Sequence, residues 1–157
     1  MHRVLVTGGG GQLAQAIRWV AKGHDVEVYA PTHAECDITS HESLRHAMQG
    51  VDVVINAAAY TNVDGAERNI DEAYMVNVTG ARNVALMAQE MGIRLIHIST
   101  DYVFGGEENR ERPYGESEAT SPINAYGRTK AEGESEVLRH NGIVVRTSWL
   151  YSPWGKN

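Results

Sequence analysis

Apolar residues in this chain fall into short unbroken runs, separated by segments in which they recur at helical spacing. The run Arg3 to Thr7 predicts a first strand, and four glycines follow it. From Gln12 to Lys22, Leu13, Ala16, Ile17 and Val20 repeat on one helical face, and Gly23 is a stop signal. Asp25 to Ala30 predicts a second strand, closed by Pro31. Ser40 is placed to cap a short helix that runs to Gln49. Asp52 to Asn56 reads as a buried strand. A long helix is expected from Asn69 to Met91, with Asn69 and Glu72 spaced as a capping box and Gly92 as its end. Ile93 to Ser99 predicts a fourth strand. A polar loop then leads to Ser121-Pro122, a start signal with proline at the first helical position. That helix ends at Asn141-Gly142, and Ile143 to Arg146 predicts a fifth strand.

Strand and helix thus alternate along the whole chain. The pattern predicts an α/β fold: a Rossmann-like, doubly wound parallel sheet with helices on both faces, with residues 1–157 forming one domain. Near-continuous apolar strands are what a sheet covered on both faces requires.

Composition narrows the function classes. The 157 residues are 42% hydrophobic and 22% charged, which excludes disordered and disulfide-stapled classes. The formal charge of -6 argues against a broad nucleic-acid or anionic-membrane surface. No run of the sequence has the apolar length of a membrane span, and the start is too short and glycine-rich for a signal peptide. Cys36 is the single cysteine and fits a reducing compartment. A cytoplasmic protein is expected, without nucleic-acid or membrane partners; a homo-oligomer is compatible with it.

The glycines carry the first chemistry. Gly9-x-Gly11-x-x-Ala14 fits the dinucleotide fingerprint with a final alanine, and Gly8-x-x-Gly11-x-x-Ala14 fits a related spacing. Glycine lets the backbone approach a pyrophosphate, and a helix N-terminus offers it free N–H groups. The second strand ends Tyr29-Ala30-Pro31-Thr32-His33. No acid there excludes a 2′-phosphate and no arginine there favours one, so NADPH or NADH is expected.

Tyr126 and Lys130 lie four apart and share one helical face. An ammonium beside a phenol is expected to lower its pKa toward the working pH, making Tyr126 a proton donor to a ketone. Ser99 and Thr100 end the fourth strand, where open α/β sheets place ligand chemistry. A hydroxyl there is positioned to bond a substrate carbonyl.

Several segments then match one family: VTGGGGQLAQ (6–15), CDIT (36–39), DVVINAAAYTNVDGAE (52–67), STDYVFGG (99–106), SPINAYGRTKAEGE (121–134) and RTSWLYSPWGKN (146–157). On these segments the chain resembles the extended short-chain dehydrogenase/reductases, in particular the dTDP-4-dehydrorhamnose reductase branch. The resemblance implies a catalytic triad of Thr100, Tyr126 and Lys130. It implies a pyrophosphate loop of Gly8, Gly11, Gln12 and Leu13. It places Asp37 and Ile38 beside the adenine, and Ala57, Ala58, Ala59 and Asn77 along the cofactor, with Tyr126 and Lys130 touching it too. Val63, Tyr102 and Trp149 match substrate positions. The implied reaction reduces the C4 ketone of dTDP-4-dehydro-L-rhamnose with NAD(P)H, the dTDP-sugar being the partner of the intact protein. The family's chain continues into a sugar-nucleotide lobe, so an N-terminal fragment, itself weakly active or inactive, is expected. Two rivals remain: a non-catalytic nucleotide-binding subunit like the methionine adenosyltransferase β-subunit, and a reductase or epimerase of another sugar nucleotide.

Other polar clusters predict less. His33 with Cys36, and His41 with His46, lack further ligands, and Gln15 and Ala16 stand where some members carry a magnesium-binding glutamate; no metal is expected. Glu107, Glu108, Glu111, Glu116 and Glu118 read as a solvated loop. Met75, Met87 and Met91 read as core or helix-face residues.

Overall fold

The computed structural model describes residues 1–154; the last three residues of the 146–157 segment lie outside the described residues. Five parallel strands form one sheet: β1 (His2–Thr7), β2 (Val26–Tyr29), β3 (Val53–Asn56), β4 (Arg94–Thr100) and β5 (Ile143–Thr147). Their order is β2-β1-β3-β4-β5. The chain winds outward from β1 to β2, then crosses back to place β3 on β1's other side. That reversal opens a crevice at the carboxyl ends of β1 and β3, where such sheets bind ligands.

Side-chain alternation sorts the core into two faces. Leu5, Val54 and Leu95 point to one face. There they meet Leu44 and Ala47 of α2 (His41–Ala47), Val84 and Met87 of α5 (Ala81–Met91), and Val137 of α6 (Ala125–Arg139). Val4, Val6 and Ile55 point to the other, under Ala14 and Ile17 of α1 (Gln12–Val20). The predicted apolar face of α1 is thereby corrected. Ala14 is its buried residue while Val20 is 58% exposed, because the small Ala14 lets the helix sit close on Val6 and Ala30.

Two predicted helix starts are also corrected. Ser121-Pro122 is extended: the Ser121 N–H donates to the Val103 carbonyl, its own carbonyl accepts from Gly106, and its hydroxyl caps nothing. The helix begins at Ala125, where the Asn124 side chain accepts from the Gly127 N–H at 2.7 Å. Upstream, a helix the pattern missed, α3 (Val63–Arg68), is capped by Asn62. The Asn69 side chain donates back to the Gly65 carbonyl rather than capping forward. The expected long helix is therefore α4 (Ile70–Tyr74), a π-helical stretch Met75–Gly80, and α5, ended by Gly92 in the left-handed conformation. Met75 is half exposed and Met87 is buried.

The loop 101–120 is not simply solvated. Arg110 donates to Glu107 and Glu118 and lies over the Tyr114 ring, which stacks on Phe104. Glu118 also accepts from the Gly115 N–H. These contacts fold the acidic loop onto itself.

Candidate active site

Residues from the glycine loop, the end of β3, the end of β4, α6 and the segment after β5 converge on a cavity of about 400 Å³ at the carboxyl ends of the strands. The glycine loop forms one wall. Gly8 turns with φ +72°, and a Cβ there would stand 3.0 Å from the Ala58 backbone. Gly9 packs so closely on β2 that a Cβ would lie 2.1 Å from the Ala30 carbonyl oxygen. Gly11 precedes α1 as its N-cap with no side-chain capping bond, so the helix's first N–H groups face the cavity uncapped by a side chain. Gln12 and Leu13 line the wall beside it. Gln12 also fastens the segment after β5, donating to the Leu150 carbonyl at 3.1 Å and accepting from the Ser152 hydroxyl.

The opposite wall is α6 and the end of β4. Thr100, Tyr126 and Lys130 all line the cavity. The Thr100 hydroxyl donates to Asp101 and accepts from the Tyr102 N–H. Tyr102 meets Tyr126 edge to face, with ring centroids 5.6 Å apart. Burial pushes the Tyr126 phenol above its ordinary pKa; the Thr100 hydroxyl opposes this, and Asp101 and Tyr102 add to it. This corrects the expectation that Lys130 would lower it. The Lys130 amino group points away into the sheet, donating to the Ile98 carbonyl at 2.8 Å and lying 3.4 Å from His97 Nε2. Burial holds the Lys130 pKa at about 8, although Glu134 opposes the shift.

Among the other expected residues, Ala57, Ala59, Val63, Tyr102 and Trp149 line the cavity. Ala58 lies behind Gly8. Asn77 does not reach the cavity wall: from the π-helical stretch its side chain bonds the Tyr60 N–H and carbonyl and the Thr129 hydroxyl. Asp37 and Ile38 are also elsewhere. Asp37 accepts from the Thr39 N–H and hydroxyl, and Ile38 is buried in the core beside Gly80.

Two features escaped sequence reasoning, and a third, Ser99, was read there only as a hydroxyl at the strand end. Ser99 Oγ is buried beside the cavity with no hydrogen-bond partner. Arg18, in the second turn of α1, donates to the Ala30 carbonyl at the tip of β2. It brings a cation to a tip that carries none in its own sequence, and Glu35 lies close enough for Arg18 to favour its charged form. Thr7, Asn56 and His97 occupy the same level of three adjacent strands, all buried, in line toward Lys130. Their signal was present as polar residues at core-facing strand positions. Among the described residues no three His, Cys, Asp or Glu side chains gather as a metal site, and no helix is long and apolar enough to cross a membrane.

A doubly wound parallel sheet with a glycine loop at its switch point and a Thr–Tyr–Lys set across the crevice defines a short-chain dehydrogenase/reductase-type dinucleotide fold. The chain belongs to the RmlD substrate binding domain family, whose model matches residues 1–157. It is 44% identical over 154 residues to the dTDP-4-dehydrorhamnose reductase of Mycolicibacterium smegmatis, covering 96% of this chain and 46% of that protein. It is 43% identical to the dTDP-4-keto-6-deoxy-D-glucose reductase of Streptomyces niveus, covering 99% of this chain and 55% of that one. The crystal structure of dTDP-4-dehydrorhamnose reductase from Bacillus anthracis, in complex with NADP, superposes with a TM-score of 0.93 at 39% identity. It is covered to 57%, and this chain to 100%. The chain thus spans about half the length of the relatives it matches.

Proposed function

We propose that this chain is the nicotinamide-binding, triad-bearing part of an NAD(P)H-dependent reductase acting on the C4 ketone of a dTDP-linked sugar, dTDP-4-dehydro-L-rhamnose being the substrate that the resemblance favours. The observation that carries the reading is the meeting of Gly8, Gly11, Thr100, Tyr126 and Lys130 on a single cavity. The site fits a dinucleotide on its own terms. The missing Cβ of Gly11 and the α1 N–H groups suit a pyrophosphate, and the unpartnered Ser99 hydroxyl suits a polar ligand group.

A bound reduced nicotinamide supplies the hydride for such a reaction. The protein's own residues do the rest. Tyr126 keeps its proton because burial disfavours the phenolate. It is therefore an acid ready to protonate the oxygen of a ketone as negative charge develops there. Thr100 orients that oxygen through its hydroxyl. Lys130 lines the same cavity, where it would hold the nicotinamide part of the cofactor; its amino group is turned to Ile98 and His97 rather than to the phenol. The intact Thr100, Tyr126 and Lys130 favour a reductase over a non-catalytic nucleotide-binding subunit.

Calorimetric titration with NADPH tests the reading. The wild-type chain binds, and Gly11→Val, which places a branched side chain against the pyrophosphate, does not. Equal affinities overturn it. With dTDP-4-dehydrorhamnose added to a form that turns over, Tyr126→Phe lowers the rate about 10²–10⁴-fold at unchanged NADPH affinity.

A further inference from the structure

The buried row beneath Lys130 has a consequence for its charge. Thr7 Oγ1 donates to Asn56 Oδ1 at 2.6 Å, Asn56 Nδ2 faces His97 Nδ1 at 3.0 Å, and His97 Nε2 lies 3.4 Å from Lys130 Nζ. Strand register builds the row: Thr7 pairs with Asn56 and Asn56 with His97. All four side chains are at most 2% exposed, so water does not substitute for any partner. Burial and Lys130 hold the His97 imidazole well below its usual range, so the ring is neutral and carries one proton. That proton sits on Nδ1 or on Nε2.

The charge on Lys130 decides which arrangements satisfy every contact between Lys130 and Asn56. With Lys130 as an ammonium, all its N–H bonds donate, so Nε2 accepts, Nδ1–H donates, and the Asn56 amide must present its oxygen. With Lys130 as an amine, Nζ can still donate to Nε2, and a second arrangement opens that the ammonium forbids: Nε2–H donates to Nζ, Nδ1 accepts from Asn56 Nδ2, and Thr7 donates to Oδ1. The amide as placed, Oδ1 toward Thr7 and Nδ2 toward His97, matches the second arrangement, and turning it over gives the first. Buried polar chains of this kind change state together, because one wrong donor leaves an unmet group in low dielectric.

We propose that His97 is the positioning residue of Lys130: with the Ile98 carbonyl it fixes the side chain, and its tautomer, set through Asn56 and Thr7, switches with the charge that Lys130 presents to the active site. The consequence for catalysis rests on the reading of Lys130 as a residue of the active site; the coupling itself does not. The charged and titratable groups facing Lys130 are His97 from β4 and, on its own helix, Glu134; Tyr126, one turn away on that helix, lines the same cavity. Glu134 is itself paired with Arg146 of β5. None of these offers His97's acceptor nitrogen a substitute.

Labelling tests this on the whole chain. Its three lysines, Lys22, Lys130 and Lys156, give three ¹³Cε signals, and Lys130→Met identifies the one that matters. In the wild type, the ¹⁵N signals of His97, identified by their loss in His97→Gln, exchange tautomer with the midpoint of the Lys130 titration. A tautomer that stays fixed across that titration overturns the proposal. The variants supply a second reading. The glutamine amide reaches the place of Nε2, and that of asparagine only the place of Nδ1. His97→Asn therefore lowers the Lys130 midpoint by about one pH unit, as loss of a charge-assisted hydrogen bond requires, while His97→Gln stays near wild type. Two folded variants that titrate alike refute it; variants that do not fold leave the wild-type measurement to decide. NADPH is absent from every arm, so a chain that shows the coupling but binds no nicotinamide refutes the proposed function alone.

Discussion

Three consecutive glycines make separable predictions, because alanine at each meets a different neighbour. At Gly9 a Cβ would stand 2.1 Å from the Ala30 oxygen and 2.5 Å from both the Ala30 carbon and the Pro31 oxygen. All three are backbone atoms, so no side chain can swing aside; the loop or the end of β2 must move by more than 1 Å to restore contact distance. The move also breaks the bond from the Gly9 N–H to the Pro31 carbonyl, 2.8 Å long. Overpacking costs about 1–3 kcal/mol and the hydrogen bond about 1 kcal/mol more, so Gly9→Ala should destabilise by about 2–4 kcal/mol. At about 2–4 °C per kcal/mol for a chain of this size, the melting temperature falls by about 5–15 °C. Gly10→Ala meets nothing within 4 Å and should melt within a degree or two of wild type while binding NADPH normally. Gly11→Ala meets only the Gly8 oxygen at 3.2 Å, so it should fold, yet its methyl lies on the cavity wall and weakens NADPH. Thermal melts and NADPH calorimetry on the three variants give the pattern. A Gly9→Ala chain as stable as Gly10→Ala would show that the loop is not held against β2, and the reasoning would fail at its first step.

Arg18→Ala should lower NADPH affinity about threefold to tenfold and leave NADH affinity unchanged, since only the 2′-phosphate needs a cation at the β2 tip; direct binding of both nucleotides checks it. Glu134→Gln removes the partner of Arg146, whose side chain is 23% exposed; a loss of about 2–3 kcal/mol is expected, discounted for that exposure, and is read as a urea-midpoint shift at constant slope. Lys130 contributes a pH dependence of definite sign. Its folded pKa of about 8 lies below the ordinary 10.5, so between those values the unfolded chain binds the extra proton and raising the pH favours the folded state by up to about 3 kcal/mol. Below pH 8 both states are charged and the burial penalty is complete. Wild type should therefore gain stability relative to Lys130→Met as the pH rises from 7 toward 10; a constant difference refutes the buried ammonium.

The strands were readable because each carries a short, mostly apolar run, and Gly23 and Gly92, both with positive φ, mark the ends of helical segments. Errors fell where several local signals compete. Ser121-Pro122 and Asn124 are both acceptable helix starts by local rules. The choice between them is made by Val103 and Gly106, far upstream, whose backbone groups pair with Ser121. Asn69 offers a capping oxygen, but Asn62 starts a turn of helix before it and draws the Asn69 amide backward to Gly65. The π-helical stretch has no periodicity of its own in six residues.

The site was readable for a related reason, and incompletely. Gly8, Gly11, Tyr126 and Lys130 each sit in a local pattern with a chemical reason: a strand-to-helix turn, or two residues one helical turn apart. What the pattern does not encode is direction. Tyr126 and Lys130 share a helical face, which predicted an ammonium turned toward the phenol. The structure instead turns the amine down to Ile98 and His97, because those strand residues offer acceptors at the right level and the cavity side offers none so close. Arg18 and Ala30 are likewise 12 positions apart and meet only through the packing of α1 on the sheet. The polar row Thr7, Asn56 and His97 sits in strands that otherwise bury apolar residues, and each polar position costs stability unless the other two are present. Three such residues at one level of three strands, aimed at one lysine, are best accounted for by what they do to that lysine's charge.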